Sequence, residues 1–473
     1  MTRDYHEADR ADRDFPGMDP VPDGRFLTDE ETQMPAEPTT RAVARASVAP
    51  LVGFGLSMAV LAVVALWSIP EMIHASGPAA WGAIATGQAV GMVSAVVLYL
   101  GWGVSGPADV ARAGSAERWR RYVESLRARG ALAAPVLLAT AGVAALVARH
   151  HTWLAVLAAC CAATIGLTAA WYFVGTVAPY RLFVYETLPR AAGTLLGILA
   201  MRAGSGAEAG LLGQLAGMVA GVAACSLWIR HVTRLPAAAR QPIRPVGTVL
   251  REQGAGVTTS ALGAAYTAVP VVIVGLTVPS ALASFALLDK LQKQAYVALQ
   301  PVQSVLQGWV PRAPAGGMHL RVRRALAVAA CAGGLIAAVV ALTTPWLVQW
   351  LGAGHVETAA VSAVLVGLLV ATNLFESAVS RAALVPLGRI RTVARLTALG
   401  ALVGLLLVPV GAHLWGTPGA LLAVLVGLLV RVVGGLLVIR STPEPVRLAE
   451  HDDPTTTQRA TQPTEQPVAE VST

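Results

Sequence analysis

Blocks of about twenty apolar residues recur along the chain, and they leave little freedom of fold. Leu51 to Ile69 is one such block; Gly419 to Ile439, broken only by Arg431, is another. An α-helix rises 1.5 Å per residue, so a run of this length matches the ~30 Å hydrocarbon core of a bilayer. Strict alternation of apolar and polar residues, the mark of a membrane β-barrel, is absent. Composition excludes the soluble alternative. Of the 473 residues, 55% are hydrophobic and only 13% are charged, where a soluble domain carries about 25% charged residues. The chain therefore reads as an all-α integral membrane protein.

Twelve transmembrane helices are expected, near 47–69, 79–104, 131–149, 152–174, 188–204, 209–229, 254–277, 281–309, 325–350, 357–380, 394–414 and 418–440. Residues 1–46 and 441–473 are polar and rich in Pro, Glu, Asp and Thr, and they read as disordered tails. The first tail has no apolar core of a signal peptide. Arginine sorts between alternate loops. One set holds Arg112, Arg118, Arg120, Arg121, Arg127, Arg129, Arg181, Arg230, Arg234, Arg240, Arg244, Arg251, Arg312, Arg321, Arg323, Arg324, Arg381, Arg389 and Arg391; the other holds little besides Arg149 and Arg202. The positive-inside rule then puts both termini in the cytoplasm, with an even number of helices. Trp67, Trp81, Trp102, Trp153, Trp171, Trp228, Trp309, Trp346, Trp350 and Trp415 fall near helix ends and are expected in the interfacial belts. The net charge of +8 is this loop asymmetry, so no nucleic-acid partner is implied. Cys160, Cys161, Cys225 and Cys331 lie inside expected helices without metal-ligand spacing. They are read as packing residues, and neither metal nor cofactor is expected.

Six helices precede and six follow the basic stretch 231–253, which suggests lobes at 47–230 and 254–440. A weak repeat relates them. Pro78-Ala79-Ala80-Trp81-Gly82-Ala83 opens the second helix and Pro279-Ser280-Ala281-Leu282-Ala283-Ser284 the eighth; in this register Gln88 lies opposite Asp289. Repeats of even helix number are related by an axis along the membrane normal and enclose a central cavity.

The eighth helix carries the strongest chemical signal. Asp289, Lys293, Tyr296, Gln300, Gln303 and Gln307 share one face at i, i+3, i+4 spacing, with Lys290 flanking it. Lys293 lies about twelve residues into the span, roughly 18 Å deep, where an ionised group costs ~2.5–3.5 kcal/mol and faces a partner or a cavity. Lys290 and Lys293 are the only lysines in the chain. Two readings follow: a structural Asp289–Lys293 ion pair at i, i+4, or the cationic wall of a hydrated cavity. Pro301 interrupts the helical bonding and marks a kink. In the tenth helix Asn373, Glu376 and Ser380 share a face, and Glu376 is a candidate coupling or counter-ion site, or a carboxylate solvated near the helix end. Arg431 sits well inside the last helix.

Taken in order, these segments resemble the bacterial polysaccharide exporters and lipid-linked oligosaccharide flippases of the multidrug/oligosaccharidyl-lipid/polysaccharide (MOP) superfamily. GPAAWGAIATGQAVG is similar to their Leu-Gly-Pro opening of the second helix. ALLDKLQKQAYVALQPVQSVLQGWVP is similar to their eighth-helix pattern, with Asp289-Lys290 in place of Glu-Lys. Trp171-Tyr172-Phe173, followed by Glu186 and Arg190, is similar to their fourth-to-fifth helix segment. The likeness runs from about residue 45 to 440. It departs at His74, where the family often carries Arg.

The resemblance implies a flippase, not an enzyme, in the bacterial cytoplasmic membrane. It would move a polyprenyl-diphosphate-linked glycan from the inner to the outer leaflet by alternating access. Glycosyltransferases and a glycan polymerase of one pathway would be its partners, beside membrane lipid. The physics agrees. Lys290 and Lys293 suit a diphosphate as point charges, and Gln88 and the eighth-helix glutamines suit sugars. Moving two negative charges outward across ~100 mV, inside negative, is favourable by roughly 4–5 kcal/mol. The alternatives are an ion-coupled drug exporter of the same fold and a membrane-embedded glycan polymerase or glycosyltransferase. A cationic cavity disfavours cationic drugs, and the outer loops lack a close pair of carboxylates.

Overall fold

The computed structural model describes residues 40–233, 242–310 and 317–441. The expected tails lie outside these residues except at their inner edges, as does 234–241 of the linker. The order is α1 (Thr40–Tyr99), α2 (Trp102–Arg112), α3 (Ser115–Val147), α4 (Thr152–Ala163), a 3-10 turn (Thr164–Leu167), α5 (Ala170–Gly175), α6 (Pro179–Leu182), a π-turn (Phe183–Thr187), α7 (Leu188–Arg202) and α8 (Ala207–Val232). The second half holds α9 (Val246–Thr277), a 3-10 turn (Pro279–Ala281), α10 (Leu282–Ala298), α11 (Gln300–Trp309), α12 (Met318–Leu351), α13 (Ala360–Ser377), a π-turn (Ala378–Leu384), α14 (Ile390–Trp415) and α15 (Thr417–Ser441). No strand occurs among the described residues.

These elements make the twelve expected spans. α1 is two of them, hinged at Gly77, whose φ of 84° is a backbone state that favours glycine. The fourth span is α4 with α5, the fifth runs from α6 through α7, and the eighth is α10 with α11. Many large apolar side chains lie open around the bundle, among them Leu138, Leu146, Leu342, Trp153 and Trp346. Such a surface is at home only in lipid.

The apolar core forks. One cluster, including Ile73, Trp81, Ile84, Leu211, Val274, Leu287, Leu351 and Leu421, joins both lobes at the end away from the basic loops. Toward the basic loops it gives way to two separate clusters. One is built on Trp102, Tyr122, Trp171, Phe173 and Ile229 of the first lobe, with Val249 of α9 joining it; the other is built on Leu306, Val322, Ala325, Val379 and Leu384 of the second. The lobes thus share a core at one end; at the other they have a cluster each, and the start of α9 joins the first, where Arg244 pairs with Glu124 of α3 at 2.9 Å.

The pseudo-repeat also appears in packing. The fifth and sixth spans approach through Gly193, Gly197, Gly213 and Gly217, and the eleventh and twelfth through Gly400, Gly404, Gly411, Gly419 and Gly427. Small residues let membrane helices come together at their backbones. A Cβ on Gly419 would run into the Gly411 carbonyl, whereas one on Gly142 would meet nothing within 4 Å. Gly419→Val is therefore expected to lower the thermal midpoint in detergent markedly. Gly142→Ala should hold or raise it, because alanine is the better helix former.

Three expectations need correction. Trp81, Trp102 and Trp171 are fully buried and belong to the core, not the interface; Trp67, Trp153, Trp346, Trp350 and Trp415 do lie open. Near a helix end a tryptophan can face lipid or protein, and position alone does not distinguish them. Arg129 is not a loop charge. α3 extends to Ser115, and the Arg129 side chain is fully enclosed. The reason is the break in the fourth span. Arg129 donates through Nη1 to the carbonyls of Thr168 at 2.7 Å and Gly166 at 3.2 Å, both left without helical partners by the break. On the far side of that break Glu186 accepts from the Ala169 amide at 3.0 Å and from Arg190 at 3.5 Å. A cation thus meets the C-terminal end of one half-helix and a carboxylate the N-terminal end of the next, as helix dipoles favour. The third correction is the continuous stripe along the eighth helix, because the helix divides at Leu299 (φ −89°, ψ −6°), two residues before Pro301, where the kink is expected.

Candidate functional site

The expected cationic site is on α10. Its chain enters through Pro279, whose missing N–H is harmless at a helix start. Lys290 and Lys293 are three residues and about 60° apart around the helix, yet their ammonium groups take different partners. Lys293 stays on the expected face, and its Nζ is 2.5 Å from Asp289 Oδ2. The lysine is 39% exposed and the carboxylate 14%. The i, i+4 ion pair is thus formed, with its cation at the more open end.

Lys290 turns toward the first lobe instead. Its Nζ donates to Gln88 Oε1 at 2.8 Å and lies 5.5 Å from the centre of the Trp81 ring. Trp81 and Gln88 are seven residues apart on α1, hence on one face. Gln88 thus meets Lys290, the chain neighbour of its pseudo-repeat counterpart Asp289. No carboxylate lies at ion-pair distance from Lys290 among the described residues. The cluster of two ammonium groups and one carboxylate carries a net positive charge.

The remaining stripe is divided. Gln300 is exposed and Gln307 half-buried, but Gln303 is buried at 8% and Val302 is exposed. Tyr296 packs inward: Gln292 Nε2 donates to its hydroxyl at 2.6 Å, and the hydroxyl donates to the Leu369 carbonyl of α13 at 3.4 Å. The divide follows the break at Leu299, which rotates α11 relative to α10.

Glu376 does not join this cluster. It is buried and accepts from Arg431 Nη2 at 2.6 Å and from Ser380 Oγ at 2.6 Å. It is therefore not solvated at a helix end; Arg431 is its counter-charge. The Arg431 stem lies against Gly400 of α14, so the pair ties α13 and α15 over α14.

Beyond the cluster, two contacts join the lobes at the end away from the basic loops. Arg149 Nη2 donates to the Leu276 carbonyl at 2.7 Å. His74 and His355 meet edge to face, with ring centroids 5.8 Å apart. Thr86, Arg149, His150, Pro279 and Leu282 line a recess of about 260 Å³. Sequence reasoning did not find Trp81 as part of the site. Its i, i+7 spacing to Gln88 was the available signal.

No protein-family model matches the sequence, and no curated protein matches it. Among solved structures the chain is similar to a multidrug resistance MATE family transporter of the MOP superfamily in an inward-facing conformation. The identity is 16% and the TM-score 0.56, over 80% of this chain and 97% of the other. It is also similar to the lipid II flippase MurJ in an inward closed conformation, with 12% identity and a TM-score of 0.57, over 82% of this chain and 88% of the other. The likeness is one of fold: two six-helix lobes in a multi-pass membrane protein.

Proposed function

We propose that this chain is a membrane flippase for an amphipathic anion, a polyprenyl-diphosphate-linked glycan, which it passes between its lobes from the basic-loop side to the other leaflet. One observation carries the reading: two lysines lie three residues apart inside an apolar span, only Lys293 of them is paired with a carboxylate, and no other lysine occurs in the chain. Membrane insertion disfavours such charge, so a ligand of opposite sign is the natural partner. The forked core supports the direction, because the apolar cluster common to both halves lies at the end away from the basic loops. In this reading the membrane is the bacterial cytoplasmic membrane, both termini are inside, and the enzymes that build and polymerise the glycan work beside the protein. The solved flippase of similar fold acts on lipid II, a lipid-borne substrate, which favours this class.

Drug export is the second reading, favoured by the multidrug transporter of similar fold. The positive site argues against cationic drugs. The test is translocation of a short-chain polyprenyl diphosphate sugar bearing a fluorophore, in vesicles reconstituted with the protein. Lys290→Gln with Lys293→Gln should remove most of it while the protein stays folded, and Lys→Arg at both should retain part. Undiminished translocation by the stable double variant, or lysine-independent export of a cationic dye, would overturn the proposal.

A further inference from the structure

The two lysines are not equivalent, and their difference suggests how ligand binding is linked to movement. Lys293 already has its anion in Asp289. Lys290 has instead a neutral amide oxygen and an aromatic face, both from α1 of the opposite lobe. Its partners satisfy hydrogen bonding but leave its charge uncompensated. An ammonium has three donors, and a phosphate oxygen competes better for one of them than an amide oxygen does.

The contact also holds the lobes together. Gln88 lies on the second span, two residues beyond Thr86, and Lys290 lies on the eighth. These two spans approach at Gly82, where an added Cβ would sit 3.0 Å from Leu282. Toward the far end the same junction continues through Arg149–Leu276 and His74–His355. The Lys290–Gln88 bond is the polar contact of this junction that reaches the cationic cluster.

We infer that Gln88 Oε1 occupies the position of a ligand phosphate oxygen at Lys290, and that a diphosphate which takes Lys290 away from Gln88 releases the lobes at the end away from the basic loops. This rests on the anionic-substrate reading above. It makes Lys290 the cation that senses the ligand, Lys293 a cation held in reserve by Asp289, and Gln88 the residue that keeps the empty carrier closed. A ligand that lacks a strong anion does not break the bond, so Gln88 also sets specificity for phosphate-bearing cargo.

The test reads the junction itself. His74→Cys with His355→Cys is made in a background where Cys160, Cys161, Cys225 and Cys331 are alanine, and the rate of disulfide formation is followed in detergent. Folding is checked by the thermal midpoint. Inorganic diphosphate and farnesyl diphosphate are the probes. Either probe should slow cross-linking several-fold in this background. Gln88→Leu should slow it several-fold with no probe present. Gln88→Glu, which turns the bond into an ion pair, should restore fast cross-linking and need at least tenfold more probe to slow it. Lys290→Gln should remove the probe response. If Gln88→Leu cross-links like its parent while the probes still act through Lys290, the latch is wrong and the anionic site stands. If Gln88→Leu loosens the junction but neither probe does so at any concentration, the anionic reading fails and takes this inference with it.

Discussion

Arg129→Met is expected to be among the most damaging single substitutions in the chain, although the residue is far from the lysine cluster. Methionine keeps much of the stem and fills the same space. It offers no donor to the Gly166 and Thr168 carbonyls, which the break in the fourth span leaves without helical partners. Each stranded buried polar group costs about 1–3 kcal/mol, so two of them give about 2–6 kcal/mol. The net stability of a domain is only about 5–15 kcal/mol. The same change leaves the carboxylate of Glu186 facing Arg190 at 3.5 Å without a cation on the other side of the break. Arg129→Lys should be intermediate, because an ammonium has donors for the two carbonyls that Nη1 serves but sits on a shorter reach and loses the bond from Nε to the Ser125 carbonyl. The measurement is the monodisperse fraction after detergent extraction, with the thermal midpoint of what survives. A methionine variant as stable as its parent would show that the broken fourth span holds without its cation.

Arg129 also shows where reading the sequence stops. Its neighbours Arg118, Arg120, Arg121 and Arg127 are loop-side charges of the same kind, and nothing local sets it apart. What fixes its place are carbonyls 37 and 39 residues away, freed by a break that the apolar run through Leu167 and Ala170 does not announce. The spans themselves were legible because the bilayer imposes one length on them all. The entries at Pro78 and Pro279 were legible because proline marks a helix start. Lys290 and Lys293 stood out because charge is rare at that depth. Their separate directions were visible only in part. Lys290 was placed beside the stripe, but its partner lies 202 residues away. The glutamine stripe was read on one ideal helix, and the break at Leu299 turned Gln303 inward and Val302 outward. Arg431 was legible as charge inside a span, and Glu376 only as a counter-ion site or a carboxylate solvated near the helix end. That they belong to each other depends on how α13 and α15 cross, which no spacing in the sequence specifies.

That pair supports the second large prediction. Glu376 and Arg431 are both mostly enclosed, with side chains 7% and 15% exposed. Breaking a buried pair from one side strands the other charge and costs about 3–5 kcal/mol, whereas replacing both partners by well-packed neutral groups is often neutral or better. Glu376→Leu and Arg431→Met should each cut the yield of folded protein sharply. Glu376→Leu with Arg431→Met should recover it, a coupling readable as a double-mutant cycle. The recovered variant also tests Glu376 as an ion-coupling site. A carboxylate already neutralised by a tethered guanidinium has little attraction left for a transported cation. Transport by the double variant should therefore keep the parent's dependence on sodium and on pH. Loss of that dependence, with the protein stable, would restore Glu376 as the coupling residue and make Arg431 the group a transported cation displaces.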